Sequence, residues 1–418
     1  MKRIFLLLII IIFAQILTAQ PEARKYKFIA QIEKELKEQK LMPIRAAWEY
    51  SYIGEYWHTI EMDDLDIQVR QESYLEQENL SLEELKAFEQ YKPESALHYI
   101  AQRAQNEQII ILNEAHPKPL HRVFAEQLLD SLYAAGFRYL GLEALQMSFS
   151  DTTRIIEMDT FLNKRGYPYS SPITGTYTCE PQFGNLIRTA IQKGFHVFGY
   201  EAMGFQRKQM SRDSAQALNV QRILLNNPKA KILLFCGYSH LLEQPQPCPK
   251  DNPDCKQLLW MAYHLKNLTG IDPFTINQDI LTERLATSES PYFKIINADQ
   301  PSVFINKNGK VFNGLENLDL YDILIYHPRT KYIKGRPDWL LRNGKFKYYQ
   351  LNKSEITINC PCQVRAYDAH ESEAATPIDM MEWRTKDEEK ALVLPPGKYN
   401  IVIENIAREL QRLKIEVK

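Results

Sequence analysis

The sequence predicts an α/β protein: a mostly parallel sheet flanked by helices, with a helical N-terminal lead-in and a small C-terminal β-rich module. Three observations carry this expectation. From about residue 91 to 290, short apolar runs alternate with stretches of helical periodicity, the pattern of strand–helix–strand units. Residues 20–90 are mostly charged, with apolar positions at helical spacing. After about 290 the alternation gives way to short β-like runs separated by turns.

Met1-Lys2-Arg3 carries positive charge, Ile4 to Phe13 is an unbroken apolar run, and Leu17-Thr18-Ala19 ends in a small residue. These are the three parts of a secretory signal peptide, with cleavage expected after Ala19. The apolar run is short for a membrane span. The mature protein is therefore expected to be periplasmic or secreted, with no stable membrane insertion. In residues 20–90, IAQIEKELKEQKL and SLEELKAFEQY read as helices, and Ser81 with Glu84 forms a capping box. The aromatic patch between them, Trp48 to Trp57, is expected to pack on the main domain, at most at the rim of a site.

The core domain is expected over 91–290. Ile109 to Leu112 is apolar throughout, as in a strand buried on both faces. It stops at Asn113-Glu114-Ala115-His116, and Pro117 and Pro119 turn the chain. Val123, Phe124, Leu128, Leu129 and Leu132 then fall on one helical face, and Gly136 ends that helix. A second run, Phe137 to Leu142, leads into Glu143-Ala144. The nine residues from Gly136 to Ala144 (GFRYLGLEA) are echoed from Gly194 to Ala202 (GFHVFGYEA). A fourth run, Lys231 to Cys236, ends in Gly237-Tyr238-Ser239-His240. Each of the four runs finishes on an ionisable side chain.

In a parallel sheet those ends lie at one edge, where open α/β folds bind ligands. Glu114, His116, Glu143, Glu201 and His240 are the expected catalytic set. Crowded carboxylates raise one another's pKa unless cations compensate; Arg122, Arg188, Arg207 and Arg212 lie on flanking helical stretches. Arg122, Arg212 and Tyr238 are the expected substrate-binding residues. Two chemistries stay open. A divalent metal, zinc, manganese or iron, would take His116, His240 and Glu143 as ligands and act as a Lewis acid. Without a metal, a histidine held by a glutamate would activate water. His121 is expected to cap or support, and Glu180 to favour the helix that follows it. Tyr177 and Tyr200, with Tyr238, are expected near strand ends as donors.

The segment IIILNEAHPKPLHR resembles the opening motif of the erythromycin esterase-like, ChaN-like and Tiki/TraB group of proteins. FCGYSH resembles their later histidine motif, and LEAL and YEAM their strand-end glutamates. The resemblance covers roughly residues 95–280. It implies a hydrolase, esterase or metal-dependent peptidase, or alternatively a haem or porphyrin binder without turnover. Glu114 and His116 match the first motif and His240 the second; Glu143 and Glu201 match the acidic strand ends. Asn113 stands where the family has glycine, and the Glu-x-His spacing is one residue shorter than in the esterase branch, which counts against antibiotic hydrolysis.

With 44% hydrophobic and 25% charged residues and a formal net charge of −1, the chain has no electrostatic footprint for nucleic acid or an anionic membrane. The expected partner is a small-molecule or peptide ligand. Cys248 and Cys255 flank a polar loop and are expected to form a disulfide. Cys236 reads as a buried thiol. The pairing of Cys179, Cys236, Cys360 and Cys362 is left open, a bridge across the Cys-Pro-Cys turn being strained. Residues 291–349 are expected to connect to, or form a lid over, the site. Residues 350–418 are expected to form a β-sandwich-like module with a turn at Pro395-Pro396-Gly397. His58, His98, His327 and His370 lack partner spacing, and the last two are expected at the surface.

Overall fold

A computed structural model describes residues 21–70, 79–149, 155–204, 206–248, 255–285, 289–314 and 319–418. The expected signal peptide lies outside them. Among the described residues, no helix is long and apolar enough to cross a membrane.

The central sheet has eight strands: β1 (Tyr91–Ser95), β2 (Ile109–Glu114), β3 (Tyr139–Leu142), β4 (His196–Gly199), β5 (Ile232–Gly237), β6 (Phe274–Leu281), β7 (Ser302–Asn306) and β8 (Ile323–Tyr326). Their order is β1-β7-β8-β6-β2-β5-β3-β4. From β8 to β4 every neighbouring pair is parallel; β7 runs antiparallel to both β8 and β1. Every residue of β2 and β5 is buried, which is why residues 109–112 and 232–236 are continuous apolar runs rather than alternating ones. From β2 the chain crosses to β3 and β4, returns to lay β5 between β2 and β3, and then places β6 on the far side of β2. Open α/β sheets place their ligand crevice at such a reversal, here beyond the carboxyl ends of β2, β3 and β5.

The helices cover both faces. Helix α5 (Ala96–Arg103), α6 (Pro119–Ala134) and α7 (Pro181–Lys193) bury Ile100, Phe124, Leu128, Leu129, Phe183 and Leu186 in one core layer. Helix α8 (Arg212–Asn226) and α9 (Met261–Thr269) bury Val220, Leu224 and Leu265 in the other. Pro119 opens α6, where a missing N–H costs nothing. The N-terminal region supplies α1 (Ile29–Lys37), α2 (Pro43–Tyr52), α3 (Tyr56–Arg70) and α4 (Leu82–Phe88), the last opened by the expected capping box of Ser81 and Glu84.

Residues 291–349 depart from expectation. Instead of a connection or lid, they add β7 and β8 to the central sheet. SVFIN and ILIY are short but largely buried, and the turn with Gly309 at φ +78° folds Val311 back onto Ile305. His327, next to β8, is correspondingly not at the surface. It is fully buried, its Nε2 3.1 Å from the Gln278 side-chain oxygen. His370 is exposed.

The C-terminal module is a four-stranded antiparallel sheet of β9 (Cys362–Asp368), β10 (Asp379–Trp383), β11 (Gly397–Asn405) and β12 (Leu410–Val417), in the order β10-β9-β11-β12. The two-stranded ribbon of Lys347–Tyr349 and Leu392–Leu394 shares its core. The N-terminal helices sit between this module and the α/β domain. Met380 of β10 packs with Ala46, Tyr50 and Ile53, and Glu382 accepts the Ile29 N–H at 3.0 Å. On the other side, the Tyr26 hydroxyl donates to the Cys179 carbonyl at 2.8 Å. Cys248 and Cys255 are joined as a disulfide.

Candidate functional site

The crevice is built from β2 outward. Asn113 staples the neighbouring strand ends: its amide donates to the Tyr238 carbonyl at 2.8 Å and accepts the Gln278 N–H at 2.8 Å. A glycine could do neither. The buried carboxylate of Glu114 takes the Arg122 Nε–H at 2.7 Å and Nη2 at 3.1 Å, and holds His116 Nδ1 at 2.9 Å. Acceptor-only Glu114 fixes the imidazole with its proton on Nδ1 and leaves Nε2 as the free ring nitrogen.

The His116 ring stacks on Tyr177, with centroids 4.3 Å apart, and meets the edges of Tyr238 at 4.9 Å and Trp48 at 6.3 Å. Its Cε1 and Nε2 lie where a side chain on residue 237 would be, so Gly237 is required for space. The two halves of the crevice meet at this residue: the Gly237 N–H donates to Glu143 at 2.6 Å.

Beyond Gly237 the charges gather around Arg212, the first residue of α8. Its guanidinium contacts Glu143 and Glu201, with Nε 2.9 Å from Glu201. Its Nη1 donates to His240 Nε2 at 2.7 Å. His240 Nδ1 lies 2.5 Å from Asp213, and its Nε2 is also 3.4 Å from Glu143. Burial alone would push the Glu143 carboxyl up. The neighbouring His240, His116 and Arg212, with the Gly237 N–H, outweigh it and hold Glu143 at about 2. Burial pulls His240 down and Arg212 opposes its protonation, but Glu143 and Asp213 prevail and its pKa is raised. The ring can thus stand neutral, accepting from Arg212, or protonated, donating toward Glu143.

All five expected residues lie at this sheet edge: Glu114 with His116 on one side of Glu143, and on the other His240, whose carboxylate is Asp213, and Glu201, which is held by Arg212. The arginines divide. Arg212 is at the centre and one-third exposed, and Arg207 reaches Glu201 at 3.2 Å. Arg122 is fully buried behind Glu114, tied also to Glu180 at 3.0 Å and the His116 carbonyl at 2.6 Å; it positions Glu114 and has no open face for a ligand. Arg188 is remote, bound to Glu371 of the C-terminal module at 2.7 Å. Tyr238 is partly exposed beside His116. Tyr200 is buried, donating to the Phe235 carbonyl at 2.9 Å. His121 accepts the Ala115 N–H at 3.0 Å and so supports the turn, and Glu180 caps α7 through the Phe183 N–H.

Three contributors escaped sequence reasoning. Asp213 carries no strand-end signal; the clue was Ser211, whose cap starts α8 and so places residues 212 and 213 in its first turn. Trp48, beyond a rim role, forms a wall against His116, and Trp260 meets His240 edge-on at 5.5 Å. Of the expected metal ligands, His240 Nε2 lies 3.4 Å from Glu143, and His116 is held at Nδ1 by Glu114. Among the described residues, no three His, Cys, Asp or Glu side chains are grouped to hold a metal ion, and Arg212 bonds both Glu143 and His240.

No family model matches the chain, and no curated protein matches it. Among solved structures it is similar to the type III effector HopBA1, at 14% identity and a TM-score of 0.30, over 46% of this chain and 86% of that one. It is also similar to RRSP, a MARTX toxin effector domain from Vibrio vulnificus, at 15% identity and a TM-score of 0.28, over 43% of this chain and 37% of that one. Likenesses this distant carry no argument about activity.

Proposed function

We propose that the chain is a hydrolase of ester or amide bonds working by histidine acid–base catalysis. The observation that carries this reading is the pair of imidazoles, His116 and His240, each held at Nδ1 by a carboxylate, on either side of Glu143. His116 Nε2 takes a proton from water as the water oxygen attacks the substrate carbonyl carbon. Glu114, itself neutralised by Arg122, keeps the His116 ring oriented and stabilises its cation. Charge building on the carbonyl oxygen is offset by the exposed part of the Arg212 guanidinium. Protonated His240 then gives its proton to the departing oxygen or nitrogen as the C–O or C–N bond breaks. The aromatic walls from Trp48, Tyr177 and Trp260 exclude water and suit a small-molecule or peptide substrate.

The resemblance of the two histidine motifs to the erythromycin esterase-like group supports the same class, and the charged, apolar and small-residue segments of residues 1–19 support action outside the cytoplasm. Protein recovered from the exported fraction, with its N-terminus sequenced, should begin near Gln20 and hydrolyse members of a chromogenic ester or peptide-amide panel. His116→Ala and His240→Ala should each lower turnover roughly 10²–10⁴-fold with unchanged circular dichroism. Full activity in either variant would sink the mechanism.

A further inference from the structure

Four cysteines stand outside the disulfide, and they are not alike. Cys179 and Cys236 are both buried, and burial pushes Cys179 up to about 11. Cys360 and Cys362 flank Pro361 at the entry to β9, with their sulfurs 3.7 Å apart. Cys360 is partly exposed, whereas Cys362 is fully buried, in register with Trp383 on one side and Asn405 on the other.

We propose that Cys360 and Cys362 form a thiol–disulfide exchange site in the C-terminal module, with the disulfides of small thiols as its substrate class. A bond of roughly 2.05 Å needs the two sulfurs to approach by about 1.7 Å, a side-chain adjustment. The asymmetry of exposure assigns the roles. The Cys360 thiolate is reachable and attacks a sulfur of the disulfide RSSR, forming a Cys360–SR bond and releasing the other half as thiolate. Cys362, shielded from solution, attacks Cys360 Sγ. That breaks the mixed disulfide, closes the Cys360–Cys362 bond and releases the second thiolate. The protons of the two cysteines end on the two RSH products, and two electrons pass from the protein to the small disulfide. The ring spans a single intervening residue, and bridges so constrained are the readily reduced, exchangeable ones. Burial raises Cys362 to about 12, consistent with a resolving rather than an attacking thiol. Cys248 and Cys255 are seven residues apart in the sequence and have no such constraint.

The test uses the full chain, reduced and then equilibrated with defined ratios of reduced to oxidised glutathione. Alkylation and peptide mapping should show the peptide carrying Cys360 and Cys362 interconverting between two alkylated thiols and a form two hydrogens lighter. Cys179 and Cys236 should stay reduced throughout. Cys362→Ser should trap glutathione on Cys360, and Cys360→Ser should react at least tenfold more slowly. Two thiols that stay alkylatable at every ratio would overturn the proposal. So would a stable glutathione adduct on the unaltered protein, or equal reactivity of Cys362 in the Cys360→Ser variant. The interconversion is read on the unaltered chain, so the outcome does not depend on either variant folding.

Discussion

Glu143 touches both halves of the crevice and is the residue on which its charge balance turns. Its carboxyl is held at about 2, against an ordinary value of 4.5, so ionisation is favoured in the folded chain. The resulting stabilisation is complete above about pH 4.5 and is lost as pH falls toward about 2; it amounts to roughly 3 kcal/mol at most. Denaturant titrations of the unaltered protein and of Glu143→Gln should therefore differ at neutral pH and converge through that acid window. A constant difference across it would contradict the assignment. His240 has the opposite sign. Its raised pKa contributes stability below the ordinary imidazole value of 6.5, lost as pH rises through the folded value. At this scale the sequence was legible where an ionisable side chain followed a strand end, as at Glu114, Glu143, Glu201 and His240. Asp213 was not legible, because a carboxylate in the first turn of a helix has the same local reading whether it meets a histidine or water.

The turn after β5 is the element that joins the two halves. Gly237 at its start has φ −84°, open to any residue, so its constraint is space and not backbone conformation. Gly237→Ala would put a methyl group against His116 Cε1 and Nε2 and force the ring off Tyr177. Turnover should fall by 10²-fold or more, by about the factor for losing the base, while secondary structure is retained. An alanine variant of full activity would show that the ring has another working position. Among larger elements, the β2–α6–β3 unit and its echo in β4 were readable because buried parallel strands and amphipathic helices write period and composition directly into sequence. β7 and β8 were readable as β-like runs but not as part of this sheet. What places them there is pairing with strands elsewhere in the chain, β7 with β1 over two hundred residues earlier.

The whole molecule is held by charged and apolar contacts that cross its three regions. Arg336 and Asp379, both essentially buried, pair at 2.5 Å, and Arg336 also donates to the Gly54 carbonyl at 3.1 Å. Arg188 joins α7 to Glu371. Removing one partner of such a buried pair costs on the order of 3–5 kcal/mol, so the C-terminal module is expected to unfold together with the α/β domain. Scanning calorimetry should give one cooperative transition; two well-separated ones would show independent modules. The position of the N-terminal helices has a further consequence, for the order in which the chain is made. Tyr26, Ile29 and Tyr50 leave the ribosome more than three hundred residues before Met380 and Glu382, against which they are buried. Until then the first helices have no finished place to dock, and such long-range closures are slow and leave apolar surface open to association. These helices, made long before the strand they pack on, are among the last parts to be covered.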